Sequence, residues 1–435
     1  MKVLCLLVVC RAAVHVGAEE PVLTLDDAID RALEYSSTLQ QSRIALENQE
    51  YASDRLWAEV FPTISTGARI SYGSGLFTGS VSQPIEQRLS YSTSLNLSLN
   101  FQAGIPYRMK ILGLAHRQRL LSYEDTRRLL EIATAQEFYT LIAERENLDQ
   151  LAETLSLAER QLERHRIGRD NGLISETALL QSRLGVETAR YDLSSAQATH
   201  NNNVRSFLSS LGLSPETPVN LEGEFSVRQL ELDPEELIRN YLPNRPDIQQ
   251  RRQTIQELEL TYRQNLLNAR SPSLSFSFGW SGGSGNGGIT APFSDSVSGS
   301  LSLSIPINPW IPGTKESQAL RNAESAIENA RLNLKNTEEQ AAGQIRSLTA
   351  NLRNSWESLE IARLRVEVAQ RSYELTERGF LNGVVEALTL ETSRNNLAIA
   401  RYQLLRGELS YQTLVLDLAQ AINVDWRQFI TRSSP

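Results

Sequence analysis

From Leu89 to Gln102 the chain sorts its side chains by parity. The odd positions are Leu89, Tyr91, Thr93, Leu95, Leu97, Leu99 and Phe101, and the even ones are Ser90, Ser92, Ser94, Asn96, Ser98, Asn100 and Gln102. A β-strand sends alternate side chains to opposite faces, so the segment predicts a strand with one apolar and one wet face. At about 3.3 Å per residue it reaches roughly 45 Å, longer than an ordinary globular strand and enough to cross a bilayer at a tilt. A half-buried strand in a soluble sandwich alternates in the same way, so companions have to decide.

Three companions exist. Residues 63–72 alternate with Ile64, Ala68, Ile70 and Tyr72 on one face, and residues 273–281 set Leu274, Phe276, Phe278 and Trp280 opposite serines. Residues 296–307 place Val297, Leu301, Leu303, Ile305 and Ile307 against Ser296, Ser298, Ser300, Ser302 and Ser304. A soluble core has no need of polar faces so uniformly small. Leu95, Leu97, Leu99, Phe276, Phe278, Leu301 and Leu303 are therefore expected to face lipid, and Ser94, Asn96, Ser98, Ser300 and Ser302 a wet lumen.

Elsewhere the period is helical and the chain repeats itself. Residues 168–193 laid over 379–404 match Gly168 with Gly379, Asn171 with Asn382, Gly172 with Gly383, Ser182 with Ser393, Arg183 with Arg394 and Tyr191 with Tyr402. Upstream, Leu141, Leu148, Leu155 and Leu162 answer to Leu352, Leu359, Val366 and Tyr373, a seven-residue spacing that predicts a coiled-coil seam in each copy. Each copy reads helix, strand, hairpin loop, strand, very long helix, glycine turn, long helix. Pro62 and Pro272 precede the first strands, and Pro106 and Pro306 lie near the ends of the second ones. Residues 314–378, if continuous, would span about 100 Å, too long for the core of a compact domain.

The expected divisions are a first repeat over 19–213, a linking segment over 214–243, a second repeat over 244–423 and a C-terminal tail over 424–435. The fold class is mainly α with a β-barrel portion: long antiparallel helices forming an α-barrel, and four transmembrane strands per chain. Four strands cannot close, and an open edge in lipid leaves backbone groups unpaired at several kcal/mol each. Closure must come from other copies. Three would give twelve strands and room for a lumen, whereas two would give eight, whose interior fills with side chains.

Composition narrows the picture. With 435 residues and a formal charge of −8, the chain is long enough for two or three ordinary domains and lacks the basic balance of a nucleic-acid binder, so no nucleic-acid partner is expected. Residues 1–18 carry Lys2, a short apolar run and the small-residue site Val16-Gly17-Ala18, which predicts an export signal cleaved before Glu19. Cys5 and Cys10 both fall within it, so the mature chain would have neither disulfide nor cysteine metal site; Cys10 after Leu6-Leu7-Val8-Val9 also admits a lipid-attachment reading. No apolar stretch is long enough for a transmembrane helix. His15, His116, His165 and His200 form no metal-ligating motif, no catalytic constellation can be assembled, and neither cofactor nor metal is expected. The glycine-rich 282–288 lies between two strands and does not open a helix, so it reads as a hairpin loop, not a phosphate cradle. Tyr72, Tyr91, Phe101, Trp280 and Trp310 sit near strand ends and suit an interfacial belt, Trp310 equally ordinary packing.

The opening "LTLDDAIDRALEYSSTLQQSR", the segments "FPTIS" and "RSPSLSFSFGW" that lead into strands, "NRPDI" at the start of the second copy, and the paired glycine turns followed by "ARY" together resemble the TolC family of outer-membrane efflux proteins. That resemblance implies a homotrimer with a twelve-stranded barrel in outer-membrane lipid, a helical tunnel through the periplasm, a periplasmic adaptor (membrane fusion) protein and an inner-membrane transporter as partners, and no enzymatic activity. It makes Asn171, Gly172, Asn382 and Gly383 the periplasmic tip where an adaptor docks, where the residues alone give a plain helix hairpin. Glu386 and Glu391 become candidates for an acidic ring at the entrance, although the family's frequent Leu-Asp-Ala is here Leu390-Glu391-Thr392. The function so implied is a passive conduit for efflux or type I secretion. An exported coiled-coil stalk that anchors the outer membrane and conducts nothing is the competing reading.

Overall fold

In the computed structural model the described residues are 22–73, 88–172, 174–223, 227–284 and 292–427. The expected signal peptide with Cys5, Cys10 and His15, most of the glycine-rich loop and the last residues of the tail lie outside them.

The chain opens with strand β1 (Val22–Leu23), helices α1 (Leu25–Tyr35) and α2 (Ser37–Asp54) and a 3-10 turn at Leu56–Val60. Strands β2 (Thr63–Gly73) and β3 (Arg88–Phe101) follow, then helices α3 (Ile105–Asp170) and α4 (Glu176–Ser210). A two-residue strand β4 (Asn220–Leu221) and a short helix α5 (Pro234–Tyr241) lead to the second copy: α6 (Pro246–Arg270), β5 (Ser273–Ser284), β6 (Phe293–Ser304), α7 (Lys315–Leu381) and α8 (Ala387–Ile422). The repeated order read from the sequence is thus the order of the fold. Strand ends differ: β5 runs on to Ser284 and so takes in Gly282, Gly283 and Ser284 of the expected hairpin loop. β6 starts at Phe293 and stops at Ser304, so Ile305 and Ile307 lie outside it, because Pro306 has no N–H for a ladder.

The chain divides into two compact units. One holds the sheet, with residues 42–124 and 243–340. Its four strands are antiparallel in the order β2-β3-β5-β6, and short bonds tie the helices beside them: Arg108 to Glu59 at 2.6 Å, Tyr262 to Glu324 at 2.6 Å and Arg331 to Glu259 at 2.9 Å. Where β3 turns into α3, the Gly104 amide donates to Asn268 Oδ1 at 2.9 Å. A Cβ on Gly104 would lie 2.4 Å from that oxygen, so a larger residue there would have to displace the Asn268 amide.

The other unit comprises the remaining parts of both copies and carries the apolar cores. Phe138, Leu141, Ile142, Phe207, Leu208 and Leu211 pack with Leu23, Ala28 and Ala32, which seats α1 on α3 and α4. Ile345, Leu352 and Leu359 of α7 meet Tyr411, Val415, Leu418 and Ile422 of α8. Each such side chain stabilises by about 1.5–3 kcal/mol when fully buried, so these clusters fix the helix pairing. The expected seam positions Leu141, Leu352 and Leu359 are buried, and Leu155 and Leu162 pack on Ala158, Val186 and Ala189. Thr24 and Asp27 cap α1 reciprocally, and β1 pairs in parallel with β4, Leu23 opposite Leu221. The Tyr411 hydroxyl donates to the Arg228 carbonyl at 2.8 Å and accepts from the Leu230 amide at 3.2 Å, pinning the linking segment to α8.

Candidate functional site

The sheet's register separates chemistry by face across all four strands. Leu97 stands opposite Ile64 and Phe278, and Leu99 opposite Phe276, itself opposite Leu301; Phe101 meets Leu274, which meets Leu303. One step along, Ser98 aligns with Thr63, Ser277 and Ser300, Asn96 with Ser65 and Gly279, Ser94 with Ser281, and Ser275 joins Asn100 to Ser302. All the lipid-facing and lumen-facing candidates therefore fall on two opposite faces. Hydroxyls pair across the polar face at 2.8 Å (Ser71 with Ser90), 2.7 Å (Ser277 with Ser300) and 3.0 Å (Ser281 with Ser296). Among the described residues no hydroxyls pair across the apolar face. Ile64, Ile70, Leu301 and Leu303 are all more than 60% exposed, a level of contiguous apolar exposure that marks a membrane or a partner surface. Near the loop end of that face the Trp280 indole donates to Asp295 at 3.3 Å. Among the described residues β2 and β6 each pair on one side only. Tyr72, Phe101 and Trp310 are exposed, with the Arg270 guanidinium 4.9 Å from the Trp310 ring.

At the far ends of the long helices the two glycine turns have one geometry. Gly172 and Gly383 both have φ of 72°, the left-handed conformation that a side chain resists. In the second turn the Val384 amide reaches back to the Gly379 carbonyl at 2.9 Å and the Gly383 amide to that of Phe380 at 2.9 Å, the paired bonds of a Schellman motif. Asn171 and Asn382 close the last helical turns through Ile167 and Arg378, both at 3.1 Å. The repeated Gly168 and Gly379 have their own reason: a Cβ there would fall 2.5 Å from Ile174 or 2.6 Å from Val385, the residues that fold back over the turn. Sequence comparison marks these glycines as repeated without giving that cause.

Just inside the turns the helices bury polar groups. His165 bonds through Nδ1 to the Ser182 hydroxyl, which donates to the Ala178 carbonyl at 3.0 Å. Ser182 thus accepts, and His165 carries its proton on Nδ1. Burial, with Arg164 nearby, holds the imidazole pKa below its ordinary value despite the Ala178 carbonyl. In the second copy Arg394, 5% exposed, lies 3.5 Å from Glu391 and donates to Gln161 at 3.5 Å. Burial pushes the guanidinium pKa down while Glu391 works against it. Arg394 Nε, Gln161 Nε2, Ser393 Oγ and His165 Nε2 are buried without a hydrogen bond. Gly185 makes room for the pair, since a Cβ there would lie 2.5 Å from Glu391 Oε1. Glu391, proposed from sequence for the entrance, is therefore engaged by Arg394, while Glu386 stands exposed at the N-terminus of α8 with no capping bond from its side chain. Sequence reasoning missed Arg394, whose repeat partner Arg183 is exposed. α8 is bridged to α3 again where Arg401 meets Glu153 at 2.8 Å.

The family model for outer membrane efflux proteins matches residues 28–213 and 237–424. The chain is 26% identical over 395 residues to the probable efflux pump outer membrane protein TtgC of Pseudomonas putida, covering 85% of this chain and 76% of the relative. The antibiotic efflux pump outer membrane protein ArpC of Pseudomonas putida matches to the same extent. Among solved structures, CusC aligns with a TM-score of 0.74 at 17% identity, covering 92% of each chain. The Campylobacter jejuni CmeC outer membrane channel aligns with a TM-score of 0.73 at 18% identity, covering 93% of this chain and 88% of that one.

Proposed function

Since this chain belongs to the outer membrane efflux protein family and so to the outer membrane, we propose that it assembles as a homotrimer and serves as a passive conduit out of the periplasm. The observation that carries the reading is the sheet: four long strands, two faces of opposite character and two unpaired edges. An open edge cannot persist in lipid. Joining β6 of one copy to β2 of the next removes every edge when three copies close, giving twelve strands with hydroxyls inside and Leu95, Leu97, Leu99, Phe276, Phe278, Leu301 and Leu303 outside. A barrel of that size leaves a lumen and supplies no driving force, so energy and cargo choice come from an inner-membrane transporter, reached through a periplasmic adaptor that docks on the turns at Asn171, Gly172, Asn382 and Gly383. Glu386, exposed beside the second turn, supplies the negative charge at the entrance. Efflux and type I secretion both fit such a conduit.

The full chain should run as a trimer in mild detergent and conduct ions in planar bilayers. Arginine at Leu97 or Leu303 should block insertion, at a cost of about 2–4 kcal/mol for a charge facing mid-bilayer, whereas arginine at Ser98 or Ser302 should be tolerated. A trimer that never conducts would favour the non-conducting stalk instead; equal tolerance at both pairs would sink the assignment of faces.

A further inference from the structure

The polar face of the sheet is almost monotonous. Over Thr63–Ser71, Ser90–Asn100, Ser273–Gly283 and Ser294–Ser304, every register position on that face is Ser, Thr, Asn or Gly, with one exception, Arg69. Arg69 stands opposite Ser92, which stands opposite Gly283, which stands opposite Ser294. Its neighbours along the strand on the same face are Gly67 and Ser71. Arg69 is exposed and makes no ion pair or hydrogen bond among the described residues. The acidic residue within these strands, Asp295, sits on the opposite face under the Trp280 indole. The same register sets Arg88 opposite Gly73 at the loop end of both strands.

A long guanidinium rising from a floor of hydroxyls and glycines has nothing of its own to bind. It is always charged, and its planar fork matches carboxylates and phosphates in two-point fashion. We propose that Arg69 is a specificity-determining residue of the conduit, and that its copies form a guanidinium ring in the lumen that favours solutes bearing carboxylate or phosphate groups. The proposal rests on the trimeric barrel proposed above, in which β6 of the neighbouring copy brings only serines to that face beside β2, so closure adds no counter-charge. Neutral serines solvate a passing solute of either sign. Within the spans given above the ring alone distinguishes the two, and it acts within about one Debye length, a distance comparable to a narrow lumen.

The test is the reversal potential of the full-length protein in planar bilayers under a potassium chloride gradient, for the wild type, Arg69→Ser, Arg69→Lys and Arg69→Glu. The chloride-to-potassium permeability ratio should fall about threefold or more in Arg69→Ser, stay close to wild type in Arg69→Lys, and fall furthest in Arg69→Glu. Inorganic phosphate should slow chloride current in the wild type and not in Arg69→Ser. Unchanged selectivity in Arg69→Ser and Arg69→Glu channels that conduct normally would overturn the ring and leave the conduit standing. Absence of conductance in the wild type would remove the conduit and the ring together. Loss of channels in Arg69→Ser alone, with Arg69→Lys intact, would make Arg69 an assembly residue and overturn the proposal.

Discussion

The two helix hairpins, α3 with α4 and α7 with α8, share a turn and differ in what they bury. Both turn on a glycine at φ of 72° after an asparagine, and both use a second glycine to let a β-branched residue fold back. Behind the first turn, His165 bonds to Ser182 through Nδ1 while its Nε2 has no partner, and Ala158, Val186 and Ala189 pack beside them. Behind the second, a guanidinium is held at 3.5 Å by one carboxylate and one amide, with Arg394 Nε and Ser393 Oγ unbonded. A buried donor or acceptor without a partner costs about 1–3 kcal/mol. Near the turns the two hairpins leave equal numbers of such atoms, Gln161 Nε2 and His165 Nε2 in the first and Ser393 Oγ and Arg394 Nε in the second, and only the second has a buried charge among them. Duplication supplied two equal frames, and the difference lies in a few polar side chains.

The largest effect should come from Arg394. Its removal in Arg394→Leu leaves the Glu391 carboxylate, 17% exposed, without its cation and frees Gln161, which should destabilise the folded protein by about 2–4 kcal/mol. The repeat-related Arg183→Leu removes an exposed charge and should change stability by about 0.5 kcal/mol or less. Chemical denaturation of the two variants in the same detergent measures both. Equal losses would break the comparison, because they would mean that the two arginines carry similar loads.

The next largest test concerns what the hairpins share. Gly172→Ala and Gly383→Ala place a Cβ on left-handed backbone with open space around it, so each should cost about 1–2 kcal/mol from conformation alone. Similar costs would sharpen the comparison by confining the asymmetry to the buried groups. A much smaller cost at Gly383 would show that the second turn relaxes where the first cannot.

The strands were legible from sequence because their period is local: Leu95 to Leu99 alternate with serine and asparagine whatever lies beside them, and the register then follows. The turns were legible too, since asparagine-glycine at a helix end has few other uses. The burial of Arg394 was not. Arg183 and Arg394 are the same residue at matching places in matching helices, and only the surroundings, Gln161 on α3 and the space left by Gly185 on α4, separate them. The role of Gly168 and Gly379 was hidden for a similar reason: it depends on Ile174 and Val385 returning over the turn.

The smallest effect belongs to His165, and its sign follows from protonation. The imidazole is 1% exposed and bonded through Nδ1 to Ser182, and burial lowers its folded pKa below the ordinary value, with Arg164 acting in the same direction. The unfolded chain then binds the proton more readily than the folded one, so the stabilising effect is fully present above about pH 6.5 and declines as pH falls toward the folded pKa. Between about pH 6.5 and 5.5 the first hairpin should lose stability, by at most about 1 kcal/mol, the limit set by the unfolded chain's own titration. His165→Gln keeps a donor for Ser182 and cannot titrate, so it should flatten that part of the stability profile whatever its own baseline. The second hairpin has Thr376 at the matching position and should show no such decline; hydrogen exchange resolved by segment at both pH values separates the two. Protection that falls equally in α4 and α8 on acidification would place the titrating group elsewhere, and the two hairpins would then differ only through Arg394.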